Sequence, residues 1–241
     1  MKGKFLLDVH THTVASGHAY STVNENVDFA IENGLELLGI SEHAPKMPGS
    51  THPFYFLNLK VIPNPFRGIE LLKGVELNIL DEKGRVDLKN NLLKRLDYGI
   101  ASLHPPCIEP MDADGNTAAI VNAMDSPYIN IIGHPCDPRY PIDIHRVVAE
   151  ARDKNVLLEI NNASLNPANG RAGGEAELLA LIKECKKQAM PIILGSDAHF
   201  CTLVGKFDNA LRLVEEANFP EELIINTNVQ RFKDFIALKI R

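Results

Sequence analysis

The sequence predicts an α/β fold, a closed or nearly closed (β/α)7 TIM-like barrel formed as one domain over residues 1–241. Three observations carry this reading. Short apolar runs of strand length recur at roughly even spacing, helical patterns fill several of the gaps, and no break in composition divides the chain. At 241 residues a single α/β barrel is a common solution, and 45% apolar residues supply its core.

The elements follow in order. Lys4–Val9 is the first strand. In Asn26–Asn33, Val27, Ala30 and Ile31 share one helical face, and Gly34 stops the helix. Leu35–Ile40 is the second strand. The connection over residues 44–68 breaks the rhythm, with Pro45, Pro48, Pro53, Pro63 and Pro65 around Phe54-Tyr55-Phe56. A connection of that length reads as a functional lid or as a cover over one end of the barrel. Glu70–Val75, Tyr98–Ala101, Tyr128–Ile132, Val156–Ile160 and Pro191–Leu194 are the remaining strands. Thr117–Met124, Ile144–Lys154, Ala176–Gln188 and Lys206–Ala217 carry amphipathic helical patterns, and Asp143 and Glu175 sit where carboxylates cap free N–H groups.

Composition excludes several classes. Lys and Arg total 25 against 31 Asp and Glu, a formal charge of −6, and no long basic run is present. That balance opposes electrostatic binding of long nucleic acid. No run of about 18 apolar residues predicts a membrane span, and Phe5-Leu6-Leu7 is too short for a signal-peptide core. Cys107, Cys136, Cys185 and Cys201 lie far apart without a C-x-x-C pair, as expected of reduced thiols in a cytoplasmic protein.

The chemistry gathers where strands end. The first run closes on Asp8-Val9-His10-Thr11-His12, with His18 six residues on, and the second on Ser41-Glu42-His43. The others give Gly74-Val75-Glu76, Ser102-Leu103-His104, Gly133-His134-Pro135 and Ser196-Asp197-Ala198-His199. In parallel barrels the active site forms at the C-terminal ends of the strands. His10, His12, His18, His43, Glu76, His104, His134, Asp197 and His199 are therefore expected to converge on one bowl. Residues i and i+2 of a strand share a face, so the pairs His10/His12 and Asp197/His199 can each chelate a cation. Imidazole with a few carboxylates suits zinc, iron or manganese, and these nine groups suffice for two or three ions with Glu76 as a bridge. His145 and His52 fall outside the pattern, the first in a helical turn and the second in the Pro-rich connection.

In that order, Asp-x-His-x-His, Glu-His, Gly-x-Glu, Ser-x-His, Gly-His-Pro and Ser-Asp-x-His resemble the PHP superfamily, named for polymerase and histidinol phosphatase. Asp8–Ser21, Glu159–Ser164 and Gly195–His199 look like its compact YcdX-type phosphatases, and the resemblance spans nearly the whole chain. It implies a distorted seven-stranded barrel holding three divalent metal ions, often zinc, at the C-terminal ends of the strands. By that resemblance His10, His12, Glu76 and Asp197 hold one ion, Glu76 bridges to a second at His104 and His134, and His18, His43 and His199 hold a third. Cys136 departs from the family's usual Gly after His-Pro, as an extra soft contact or as filler.

The implied activity is metal-dependent hydrolysis of phosphate monoesters of small metabolites by a metal-bound hydroxide. The alternatives are a phosphodiesterase or exonuclease acting on short nucleotides, and a metal-binding regulatory module without turnover. Asp8 is a candidate to orient a ligating imidazole, and Arg139 and Arg171 are candidates to grip phosphate oxygens. Asn161 and Asn162 end the sixth strand and are expected to line the bowl. Gly170-Arg171-Ala172-Gly173-Gly174 matches no Walker or dinucleotide fingerprint and reads as a flexible or phosphate-contacting loop.

Overall fold

A computed structural model describes residues 4–168, 170–171 and 173–239; Ala172 of the Gly-rich connection lies outside them. The elements are β1 (Leu7–Asp8), α1 (Val23–Glu32), β2 (Leu37–Ile40), α2 (Pro53–Asn58), β3 (Glu70–Lys73), β4 (Glu76–Asn78), α3 (Asn90–Leu93) and β5 (Ile100–Ser102). There follow α4 (Ala113–Ala123), β6 (Ile131–Ile132), α5 (Ile144–Asp153), β7 (Leu157–Asn161), α6 (Glu175–Lys187), β8 (Ile192–Gly195), α7 (Asp208–Glu216) and α8 (Val229–Ala237). The strands pair in parallel in two sheets, β1-β2-β3 and β4-β5-β6-β7-β8.

The expected closed or nearly closed barrel of seven strands is refined on two counts. The third predicted strand is bent: β3 pairs with β2 up to Lys73, and β4 resumes beside β5. The register runs through the bend, with Ile40 opposite Lys73 and His43 opposite Glu76. Gly74 sits at the bend against Tyr98, where a Cβ would fall 2.3 Å from the ring. The second count is the seam between β1 and β8, which among the described residues no ladder closes; the bridge of Thr11 to Ala198 joins it above. The buried amide of Asn226 supplies the missing pairing there. Its Nδ2 donates to Leu7 O at 3.0 Å and Leu194 O at 2.8 Å, and its Oδ1 accepts from Leu194 N at 2.7 Å.

Inside the strands, Leu7, Leu37, Leu72, Ile100, Ile131, Leu157 and Ile193 form an apolar layer with Tyr98. Phe232 and Ile236 of α8 seal it from below. The period of two then decides what stands above this floor. Leu72 is followed on its face by Gly74 and Glu76, Ile100 by Ser102 and His104, and Leu157 by Glu159 and Asn161. The same inward face is thus apolar at one end and polar at the other, and Glu76, Ser102, Glu159 and Asn161 are all buried.

The outward residues pack against the helices in two further clusters. α1 starts three residues before the predicted Asn26, fixed by a capping box between Thr22 and Glu25. Asp143 caps α5 as expected, accepting from Arg146 N at 3.0 Å. Glu175 does not cap α6: Gly174 holds that position, and Glu175 meets Arg212 at 2.9 Å. The last predicted helix ends at Ala217, so α8 is an addition, although Phe232 and Ile236 have helical spacing. In the 44–68 connection, His52 Nδ1 accepts from Phe54 N at 3.1 Å and caps α2, while Phe56 enters the main core. Among the described residues no helix is long and apolar enough to cross a membrane.

Replacing Asn226 by Ala strands one N–H and two carbonyls at the β1–β8 seam. Asn226→Ala is expected to lower stability by about 3 kcal/mol, about 10 °C in Tm. Thermal unfolding followed by circular dichroism checks it, and an unchanged Tm contradicts the clamp.

Candidate metal centre

All nine predicted side chains meet in one cluster above the apolar floor. Glu76 lies at its middle, fully buried on β4. Its Oε1 stands 3.4 Å from His10 Nε2, 3.2 Å from His104 Nε2 and 3.0 Å from His134 Nε2. Its Oε2 stands 3.5 Å from His12 Nε2 and 2.7 Å from His43 Nδ1. Asp197 Oδ1 lies 3.5 Å from His10 Nε2, 3.4 Å from His12 Nε2 and 3.5 Å from His199 Nδ1. His18 completes the set at the mouth, its ring stacked 4.8 Å from His43 and 4.9 Å from His199. Two of these residues, His134 and Asp197, hold positive φ of 31° and 53°.

Three properties fit this set to divalent cations. First, the nitrogens of His10 Nε2, His12 Nε2, His43 Nδ1 and Nε2, His104 Nε2 and His134 Nδ1 are buried without a hydrogen bond, as is Glu76 Oε2. Several of them face carboxylate oxygens at short range, yet at angles that no hydrogen bond uses. Second, the spacing is that of ligands around a common centre. Donors about 2.05 Å from a zinc ion lie about 3.3 Å apart; Asp197 Oδ1 stands 3.5 and 3.4 Å from His10 Nε2 and His12 Nε2, and Glu76 approaches the same two nitrogens at 3.4 Å through Oε1 and 3.5 Å through Oε2. Third, three of the seven imidazoles are pushed toward the neutral form that ligation requires. Burial, then His43 and His199, keeps His12 well below the usual histidine range and brings His18 down to about 4. Burial also lowers His104. His10 goes the other way, since Glu159, Glu76 and Asp197 outweigh its burial. Burial pushes the Glu76 carboxyl up, but His104, His43 and His10 hold it well below the carboxylate range.

Ligand combinations within reach of one ion are His10 with His12 and Glu76, His43 with Glu76 and His104, and His12 with His43 and His199. His43 thus stands between two groupings, with a nitrogen near Glu76 and its ring 4.3 Å from His12.

Orientation comes from residues that sequence reasoning missed. Glu159 on β7 accepts from His10 Nδ1 at 2.6 Å, from His134 N at 2.8 Å and from Asn161 Nδ2 at 3.0 Å. The close approach needs Gly195, where a Cβ would meet Glu159 Oε1 at 1.8 Å. Asn78 Oδ1 stands 2.8 Å from His104 Nδ1, and Asp87 accepts from the Asn78 amide at 2.7 Å. Asp8, expected to orient an imidazole, touches none. Its buried carboxylate accepts backbone N–H bonds from His10, Ser196 and Gly205, and burial raises it to about 6. It joins β1 to the end of β8.

The substrate side is corrected similarly. Arg139 commits its Nε and Nη2 to Asp137, at 2.9 and 2.6 Å, and does not line the cavity over the cluster. Arg171 does, paired there with Asp197 Oδ2. That cavity measures about 380 Å³ and is lined also by His18, His43, Met47, His104 and His199. Asn161 reaches toward Asp197 Oδ2 at 3.3 Å, whereas Asn162 turns away, its Oδ1 accepting from Asn209 N and Ala210 N at the start of α7. Cys136 packs as filler in the main apolar cluster, its thiol pushed up by burial. His145 is exposed against Glu184.

The family model of the PHP domain matches residues 8–238. A probable phosphatase of Caldanaerobacter subterraneus subsp. tengcongensis is 49% identical over 240 residues, covering 99% of this chain and 94% of its own. A probable phosphatase of Clostridium novyi is 48% identical over 236 residues, with 98% and 96% covered. Among solved structures, histidinol phosphate phosphatase of Lactococcus lactis, complexed with zinc, L-histidinol and phosphate, superposes with a TM-score of 0.63 at 20% identity. The match covers 90% of this chain and 95% of that one, and shows a shared fold.

Glu159→Gln tests the orientation. Two donors, His134 N–H and Asn161 Nδ2–H, face Glu159 Oε2, so the amide oxygen must sit there and its NH2 must face His10 Nδ1. That forces the proton onto His10 Nε2, where a metal would bind. Zinc affinity is expected to fall by about 10–100-fold with the fold intact. Chelator competition with a circular dichroism control measures both.

Proposed function

Because this chain belongs to the PHP domain family, we propose that it is a metal-dependent phosphatase hydrolysing phosphate monoesters of small metabolites. The observation that carries the proposal is the Glu76 carboxylate, buried among five imidazole nitrogens. In this reading three divalent ions, zinc foremost, are held within one domain. His10, His12, Glu76 and Asp197 would hold the first, and Glu76 would be shared with a second at His104 and His134. His18, His43 and His199 would hold the third. Bound ions of this kind acidify water and offset charge on phosphoryl oxygens.

The chain's own residues supply the rest. The cavity of about 380 Å³ over the cluster lies in the range that encloses a small ligand. Arg171 lines it, and its planar guanidinium is suited to two phosphate oxygens at once. Met47 gives the cavity one apolar wall for the organic part of a substrate. The named relatives are probable phosphatases, and the Lactococcus structure is complexed with phosphate and with L-histidinol, an alcohol, the two classes of product that monoester hydrolysis gives. Both facts support the monoester reading.

Metal-replete protein is expected to hydrolyse p-nitrophenyl phosphate and to lose that activity to a chelator. Turnover of bis-(p-nitrophenyl) phosphate without the monoester would instead mark a diesterase. Glu76→Gln and His199→Ala are each expected to reduce bound metal together with rate. Undiminished metal by elemental analysis would contradict those ligand assignments.

A further inference from the structure

We propose that Ser16, held by Glu42, is a positioning residue that keeps the proton of His12 on Nδ1 and turns its Nε2 lone pair to the cluster. The proposal rests on the metal-centre reading and adds to it a residue of ordinary type, outside the ligand set.

Ser16 is completely buried at the end of the turn Val14–Ser16. Its hydroxyl has one proton and three polar neighbours. His43 N lies at 3.1 Å, Glu42 Oε2 at 2.6 Å and His12 Nδ1 at 3.1 Å. The direction of each bond follows from the chemistry of these groups. A backbone N–H only donates, so His43 N takes one lone pair of Oγ. A carboxylate only accepts, and it is the nearest neighbour, so the Ser16 proton goes to Glu42. The remaining lone pair faces His12 Nδ1, which must bring the proton itself. A neutral imidazole with Nδ1–H carries its free lone pair on Nε2. His12 Nε2 is the buried nitrogen without a hydrogen bond, 3.5 Å from Glu76 Oε2 and 3.4 Å from Asp197 Oδ1.

Glu42 is fixed in its turn. It is fully buried and accepts from Thr13 N at 3.1 Å, Thr13 Oγ1 at 2.5 Å and Tyr55 Oη at 3.4 Å. Tyr55 lies on α2, inside the Pro-rich connection, and Ser50 of the same connection donates to His43 O. That excursion therefore supports the ligand set from behind.

The test reads the proton directly. Long-range proton–nitrogen spectra of metal-free, 15N-histidine-labelled protein are expected to show His12 protonated at Nδ1 and bare at Nε2. Ser16→Ala should give a mixture of tautomers, with zinc affinity about 10–100-fold lower by chelator competition. Glu42→Gln should leave the tautomer unchanged, because Thr13 N–H and Ser16 O–H both require the amide oxygen at that position. A His12 proton on Nε2 in the wild type overturns the proposal, and this spectrum serves even where Ser16→Ala fails to fold. An unchanged tautomer in Ser16→Ala overturns it too. Wild-type protein with the Nδ1 proton in place but no zinc uptake would uphold the relay and refute the metal centre.

Discussion

The carboxylate of Glu76 is the constraint around which the molecule is organised. A fully buried charge is costly unless it is paired, and here imidazoles delivered by several different strand ends surround it. No local segment can build that arrangement. It takes a fold that aims the ends of many parallel strands at one point, and the bend between β3 and β4 carries Glu76 to the middle of it. The apolar layer beneath has the matching task, since it keeps water from the underside of the cluster and sets the depth at which the inward face turns polar.

Above that floor the work divides between residues that face the centre and residues that aim them. Glu159, Asn78 and Ser16 each stand against the Nδ1 of a different histidine, leaving the Nε2 of His10, His12 and His104 turned inward. Each is anchored by further buried bonds, so the rings cannot turn without breaking several contacts. The backbone carries part of the load as well. His134 and Asp197 sit in the left-handed region, at a cost of order 1–3 kcal/mol each, which the surrounding packing offsets.

Much of the nine-residue cluster was legible in one dimension because its chemistry is distinctive. Histidine and carboxylate at i and i+2 on successive strand ends suit cation binding and little else, and the strand positions followed from the apolar runs. The aiming residues were not legible in this way. Ser16 and Asn78 are ordinary types whose meaning lies in which proton points where. Glu159 is visible in its motif, but its partner lies 149 positions away and depends on the space left at Gly195. Asp8 and Arg139 show the converse. Both stand at plausible distances along the chain, yet the first is consumed by backbone amides and the second by Asp137. The broken ladder was hidden for a similar reason, because apolar periodicity locates strands without saying which edges pair.

The Asn226 amide has a consequence for the order in which the protein comes into being. Chains fold as they are made, earlier segments first. His10 and His12 follow β1, while Asp197 and His199 follow β8, so the cluster straddles the one seam that strand pairing leaves open. The bridge of Thr11 to Ala198 and the Asp8 contacts cross that seam, and the amide that adds three more bonds there is synthesised only after both pairs are complete. A growing chain therefore displays all nine of its imidazoles before Asn226 is made. The Asn226 bonds across the β1–β8 seam form only when residue 226 reaches both strands.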